Sequence, residues 1–262
     1  MILRVDDMAF RYASTPVLDG VGFCVAPGEF MAVLGNNGAG KSTLLKCINR
    51  ILRPSYGSVL LDEADVRRLK GMELAKQVGY VPQRTEASRM TVYDTVLLGR
   101  RPHIEWDAGR RDYEVTERVI ERLGLGHIAL RTIDELSGGE LQKTAIARAL
   151  AQEPRVLLLD EPTSSLDLRN QLDVLQTVRR ITREEGVAVV AVMHDLNLAL
   201  RFADRFCFLS EGRVHACGGS EVVTPDVVAN VYGVAVDVMS VNDVAVIVPL
   251  CRCGVDDSPE MT

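Results

Sequence analysis

The sequence predicts an α/β fold with a parallel sheet at its core, a β-rich start and a helical segment inserted midway. Three observations carry this. Residues 29–34, 155–159, 187–193 and 206–209 are short runs, apolar apart from the leading Glu29 and Arg155, the pattern of strands buried on both faces. Helical spacing over 168–185 and 196–202 alternates with those runs, as in a sheet with crossover helices. Between about 90 and 150 the pattern turns helical, over 91–99, 110–123 and 139–151, and no strong strand interrupts it.

The remaining elements follow in order. Residues 2–5 and 21–25 are β-like runs between turn residues. The strand at 29–34 leads into a glycine-rich loop, and 41–52 follows as a helix that stops before Pro54 and Tyr56-Gly57. Residues 58–61 and 79–81 read as strands. The stretch 234–249 reads as two short strands around Asn242-Asp243. There is no internal repeat, so one unit is expected rather than two.

Bulk properties narrow the function. The chain has 262 residues, 47% apolar and 25% charged, enough for a sizeable core and ordinary for a globular protein. A net charge of −6 argues against a nucleic-acid partner held by phosphate neutralisation. The start, Met-Ile-Leu-Arg-Val-Asp-Asp, has no basic segment followed by an apolar run, so no secretion signal is expected. The most apolar stretches, 156–159 and 187–193, fall far below the roughly 20 residues of a membrane helix. Any membrane role is expected to come through a partner. Six cysteines, Cys24, Cys47, Cys207, Cys217, Cys251 and Cys253, form no C-x-x-C unit and are expected as free thiols in a reducing compartment. Cys251 and Cys253 have no nearby His or Cys to complete a metal site and read as incidental tail thiols.

The strongest motif is Gly35-Asn36-Asn37-Gly38-Ala39-Gly40-Lys41-Ser42, which matches G-x-x-x-x-G-K-[ST] between a strand and a helix. Its glycines let backbone N–H groups converge on a polyphosphate, and the helix start adds a positive dipole end. Lys41 is placed to reach the β- and γ-phosphates, Ser42 to bind Mg²⁺, and Thr43 to lie near the α-phosphate. Such a site needs a carboxylate at the end of a neighbouring strand. Val156-Leu157-Leu158-Leu159-Asp160 supplies Asp160 for the Mg²⁺ side, and Glu161 follows as the general base for water.

Leu136-Ser137-Gly138-Gly139-Glu140 opens a helix ahead of that strand. Here the sequence resembles the ABC ATPase family, whose signature pentad usually ends in Gln. The resemblance covers most of the chain, from residue 1 to about 231. It implies a P-loop NTPase fold with a RecA-like parallel core, an N-terminal antiparallel β subdomain and a helical subdomain at about 88–150. Together 1–235 make the ATP-binding domain, and 236–262 a short C-terminal β-hairpin extension and tail. By resemblance, Ser137, Gly138 and Gly139 bind the γ-phosphate held by a second copy. Glu140 departs from the usual Gln and cannot donate as an amide does. Tyr12 resembles the aromatic that stacks on adenine, although a core tyrosine on an edge strand fits equally. Gln83 resembles the glutamine that senses Mg²⁺ and the transporter partner. Ser164-Ser165-Leu166-Asp167 resembles the loop that crosses the dimer interface, and His194 the switch histidine on γ-phosphate.

The resemblance therefore implies an ATPase using ATP and Mg²⁺. It would work as a homodimer on integral-membrane permease subunits and indirectly with an extracytoplasmic solute-binding protein, peripheral to the cytoplasmic face of the cell membrane. Leu98-Gly99-Arg100-Arg101-Pro102-His103 and His194-Asp195-Leu196-Asn197-Leu198-Ala199 resemble importers of iron chelates, haem and cobalamin. Importers of molybdate, tungstate or another solute stay open, as does a soluble ABC-type regulatory module.

Overall fold

The computed structural model describes residues 1–84, 89–241 and 244–250. Asn242-Asp243 and the tail thiols Cys251 and Cys253 lie outside the described residues. In chain order the elements are β1 (Leu3–Tyr12), β2 (Thr15–Val25), β3 (Phe30–Leu34), α1 (Lys41–Ile48), β4 (Tyr56–Leu61), β5 (Ala64–Asp65), α2 (Gly71–Gln77) and β6 (Val78–Val81). Then come α3 (Val92–Leu97), α4 (Arg110–Arg122), α5 (Gly138–Leu150), β7 (Val156–Asp160), α6 (Leu168–Glu185), β8 (Ala188–Val192) and α7 (Leu196–Phe202). The last are β9 (Arg205–Ser210), β10 (Arg213–Gly218), α8 (Pro225–Tyr232), β11 (Val236–Val241) and β12 (Val244–Pro249).

The central sheet has six strands in the order β10-β9-β3-β8-β7-β6. All its pairings are parallel except β9 with β10. Every residue of β3, β7 and β8 is buried, which explains their unbroken apolar sequence. Successive side chains serve opposite layers. Phe30, Ala32 and Leu34 of β3 pack with helices on one face. Met31 and Val33 pack on the other against α1 and the four-stranded antiparallel sheet β2-β1-β4-β5. Helices α3 to α5 occupy the stretch between β6 and β7, where the sequence predicted helix. Strands β11 and β12 form a separate two-stranded sheet.

Helices α6 and α7 match their predicted bounds. Both start on an aspartate cap: Asp167 accepts from Asn170 N–H, and Asp195 from Leu198 N–H. The helix predicted over 41–52 stops at Ile48 instead. Arg50 takes a left-handed φ of 57°. Ile51 N–H bonds Lys46 O and Arg50 N–H bonds Cys47 O, a helix-ending pattern built without the usual glycine. The guanidinium of Arg50 reinforces the turn by donating to Val66 O and Leu69 O. Strands β1 and β2 run well beyond 2–5 and 21–25. Elements α2, β5, β10 and α8 were not predicted. The cysteines among the described residues, Cys24, Cys47, Cys207 and Cys217, are free, and no described helix is long and apolar enough to cross a membrane.

Candidate functional site

The C-terminal ends of β3, β6, β7 and β8 point to one edge of the central sheet, the usual place for a ligand in a parallel α/β fold. The loop leaving β3 runs through Gly35, held at φ 145°, where an added Cβ would lie 2.1 Å from Leu209 O. At Gly40, φ is 99° and a Cβ would meet Val17 O at 2.9 Å. Neither position has room for another residue. Gly40 caps α1 with no side-chain hydrogen bond, so the amides of the first turn have no internal side-chain acceptor.

Lys41 folds back into this loop. Its buried ammonium donates to Gly35 O (2.7 Å) and Asn36 O (2.9 Å) and forms no ion pair among the described residues. Burial pushes its pKa below the ordinary lysine value, while Glu161 and Asp160 pull it back. A buried cation beside uncapped amides suits a polyanion.

Ser42 Oγ donates to Asp160 Oδ1 at 2.7 Å, joining α1 to the end of β7. Tyr80, on β6, donates to Asp160 Oδ2 at 3.3 Å. Burial pushes the Asp160 carboxyl above the usual range, against the bonds from Ser42 and Tyr80. A divalent cation beside Asp160 and Ser42 would offset that burial, so the oxygen pair fits Mg²⁺. Among the described residues no cluster of three or more His, Cys, Asp or Glu side chains is arranged to hold a metal. Such a cation would take its remaining oxygens from phosphate and water.

Glu161 lies one residue beyond β7, with its N–H on Val192 O (3.2 Å). Its φ of 53° is an uncommon backbone state for a residue with a side chain, of the kind that clusters at active sites. Its carboxylate is clasped on both sides. Gln83 Nε2 donates to Oε2 at 2.5 Å, and His194 Nε2 lies 2.6 Å from Oε1. The ends of β6, β7 and β8 thus meet on one carboxylate.

A family model for the ABC transporter matches residues 18–164. The chain is 53% identical to an uncharacterised ABC transporter ATP-binding protein of Methanocaldococcus jannaschii, over 95% of this chain and 98% of that one. This chain belongs to the ABC transporter family. It is an ABC ATPase cassette. It is also 35% identical to the ferric enterobactin transport ATP-binding protein of Escherichia coli K12, over 95% and 94% of the two chains. A solved metal-chelate type ABC transporter in an inward-facing conformation superposes with a TM-score of 0.84 at 30% identity, covering 96% of this chain and 98% of that one.

Elsewhere in the cassette, Tyr12 ends β1, is 48% exposed, and packs edge-on against Phe10 with ring centroids 4.8 Å apart. It is not a core tyrosine. Its open face leaves a surface for stacking. Asn37 and Gly38 are exposed at the loop tip, Ala39 is buried, and Thr43 lies in the first turn of α1. The signature turn is separate from this cluster. Ser137 caps α5, and Glu140 Oε2 accepts from both Ser137 N–H (2.9 Å) and Ser137 Oγ (2.7 Å). Those two bonds hold the Glu140 carboxyl below its ordinary value. Gly138 and Gly139 pack against Leu166 and Asn170 of the same chain. Within 164–167, Ser165 sits at φ 134°.

Three contacts escaped the sequence reading. Tyr80 and Tyr232 carry no signal in the sequence pattern, and Asn197 stands only within a family motif, without a role. Tyr232 accepts from Gly35 N–H, and Asn197 bonds the backbone of Ile247. The first of these spans 197 residues, a separation on which local pattern carries no signal.

Proposed function

We propose that this ATPase energises an importer of iron chelates, haem or cobalamin. It would act as a homodimer on integral-membrane permease subunits, held at the cytoplasmic face of the membrane through them, with an extracytoplasmic solute-binding protein as a further, indirect partner. The observation that carries the ATPase chemistry is the clasped Glu161 beside the Ser42–Asp160 pair and the Lys41 ammonium buried in the glycine loop. The likeness to a ferric enterobactin transport protein supports the solute class.

In this reading Tyr12 stacks on adenine, and residues Gly35 to Thr43 bind the phosphates. Ser42 and Asp160 hold Mg²⁺, with Gln83 sensing it. Bound Mg²⁺ would neutralise charge on the phosphates. Ser137, Gly138 and Gly139 grasp γ-phosphate from the second copy. Glu161 is the base for the attacking water. Gln83 and His194 take one site on each of its oxygens in the structure, which leaves a lone pair on each to accept from the attacking water. ATP binds both halves of the shared site and its products do not, so hydrolysis drives the copies apart. We assign residues 1–235 to the ATP-binding domain, with the helical subdomain at about 88–150, and 236–262 to a C-terminal extension.

Glu161→Gln tests the base. It should bind ATP, hydrolyse it about 10²–10⁴ times more slowly, and elute as an ATP-bound dimer in gel filtration with ATP and Mg²⁺. Near-normal turnover would remove Glu161 from that role. Uptake by proteoliposomes carrying the cognate permease, with ferric siderophore against molybdate, tests the solute class.

A further inference from the structure

Two hydrogen bonds tie the C-terminal helix to the mouth of the phosphate loop. Gly35 N–H donates to the Tyr232 hydroxyl oxygen at 2.9 Å, and Asn36 Nδ2 donates to Val231 O at 2.8 Å. Gly35 is buried, with no room for a side chain beside Leu209 O of β9. Its amide depends on Tyr232 for an acceptor, because a buried N–H without one is costly. Burial pushes the Tyr232 hydroxyl up to about 12, so it stays neutral at physiological pH.

The position of Tyr232 is set by α8. This helix starts on the Thr224 cap with Pro225 in its first turn and ends at Gly233, φ 72°, a strong start and a sharp stop. The chain then enters β11 and β12, whose inner face packs on α7. There Ile247 N–H donates to Asn197 Oδ1 (2.8 Å), and Asn197 Nδ2 donates to Ile247 O (3.3 Å). Asn197 lies three residues after His194. One C-terminal unit therefore grips both the entry of the phosphate loop and the helix that follows His194.

We infer that Tyr232 is a positioning residue of the nucleotide site, and that the α8–hairpin unit fixes the phosphate loop relative to His194. The inference rests on the reading of the glycine loop as the ATP site and of His194 as its γ-phosphate contact. Tyr232 acts through Gly35 and touches no phosphate. Without it the first peptide of the loop must be ordered when nucleotide binds, and that cost falls on affinity. Asn197 acts on the other side of the site, where a γ-phosphate is needed before its loss is felt.

The two sides separate in the full-length chain. Tyr232→Phe keeps the ring and removes the acceptor. It should raise the Kd for a fluorescent, ribose-labelled ADP about three- to tenfold, the worth of one hydrogen bond. Asn197→Ala should leave the Kd for labelled ADP at the wild-type value and lower kcat at saturating ATP. Asn36→Ala breaks the second tie without touching α8 and should weaken ADP binding in the same direction, which keeps the test open if Tyr232→Phe does not fold. Wild-type ADP affinity in a folded Tyr232→Phe overturns the inference, as does wild-type affinity in Asn36→Ala where Tyr232→Phe does not fold. So does a lowered melting temperature in Tyr232→Phe with unchanged ADP Kd, since that is packing alone. A wild-type chain that fails to bind labelled ADP overturns the ATP site itself, and the inference with it.

Discussion

The phosphate loop and the signature turn are both glycine-rich helix starts, read as grasping the same anion, but they are finished differently. The first is braced from outside by its own chain, through Tyr232, Val231 and the wall of β9. Its helix, α1, has no side-chain cap. The second is closed on itself. Ser137 and Glu140 form a reciprocal capping box that engages the Ser137 hydroxyl proton and the Glu140 amide. Ser137 and Gly138 face solvent. One region is preorganised to receive phosphate, and the other must release an internal bond to do so.

The largest expected effect comes from Ser137→Arg, which should abolish hydrolysis while a dilute monomer still binds ATP. Its counterpart, Lys41→Ala, should weaken ATP binding by about 1.5–3 kcal/mol, on the order of 10- to 100-fold, because a charge-assisted contact is lost. Titration of each variant with a fluorescent ATP analogue checks both. If Ser137→Arg loses monomer affinity as Lys41→Ala does, the two regions serve one site in one chain and the comparison fails.

The next effect, on stability rather than on binding, is expected in the support of the signature helix. Arg100 is 1% exposed and bonds Asp112, Glu153 and Ala151 O, pinning the end of the α3 segment to the far end of α5. Arg100→Met leaves Asp112 without its buried partner and should cost about 3–5 kcal/mol of stability, read by thermal melting. Monomer ATP affinity should hold wherever the variant is folded.

The smallest effect belongs to Glu140→Gln. Gln still accepts at the helix start, so the stability loss should stay below about 1 kcal/mol. Its pH dependence is the sharper readout. The Glu140 carboxyl is held below its ordinary 4.5 by Ser137. Its stabilisation is therefore present above that ordinary value and lost as pH falls through the depressed one. Wild type and Glu140→Gln should differ in melting temperature at neutral pH and converge in acid.

The sheet was legible because β3, β7 and β8 are buried on both faces and their sequence has no freedom to be polar. Helices α6 and α7 were legible to the residue from their helical spacing, and in the structure aspartates cap both starts. Helix α1 overran because Ile51 and Leu52 continue its apolar pattern, while its true end rests on the left-handed Arg50. Elements α2 and α8 are short, and each is held by packing rather than by a long periodic face. The clustering of Lys41, Ser42, Asp160 and Glu161 followed from motif order. The clasp of Gln83 and His194 on Glu161 did not, since it is a side-chain arrangement between three strand ends.

Asn197 also acts as a counter. In the hairpin, Val236, Val238 and Ile247 face the core, and Met239, Val241, Val244 and Val248 stand exposed on the opposite side. A ribbon apolar on both faces has little hydrophobic reason to prefer one pairing over its one-residue slip. The Asn197 carboxamide grips the N–H and C=O of a single residue, Ile247, in the manner of a rung from a third strand. A slip would present that amide with the wrong residue and turn Ile247 outward. One polar side chain on a neighbouring helix thus tells an ambiguous ribbon which way up to lie.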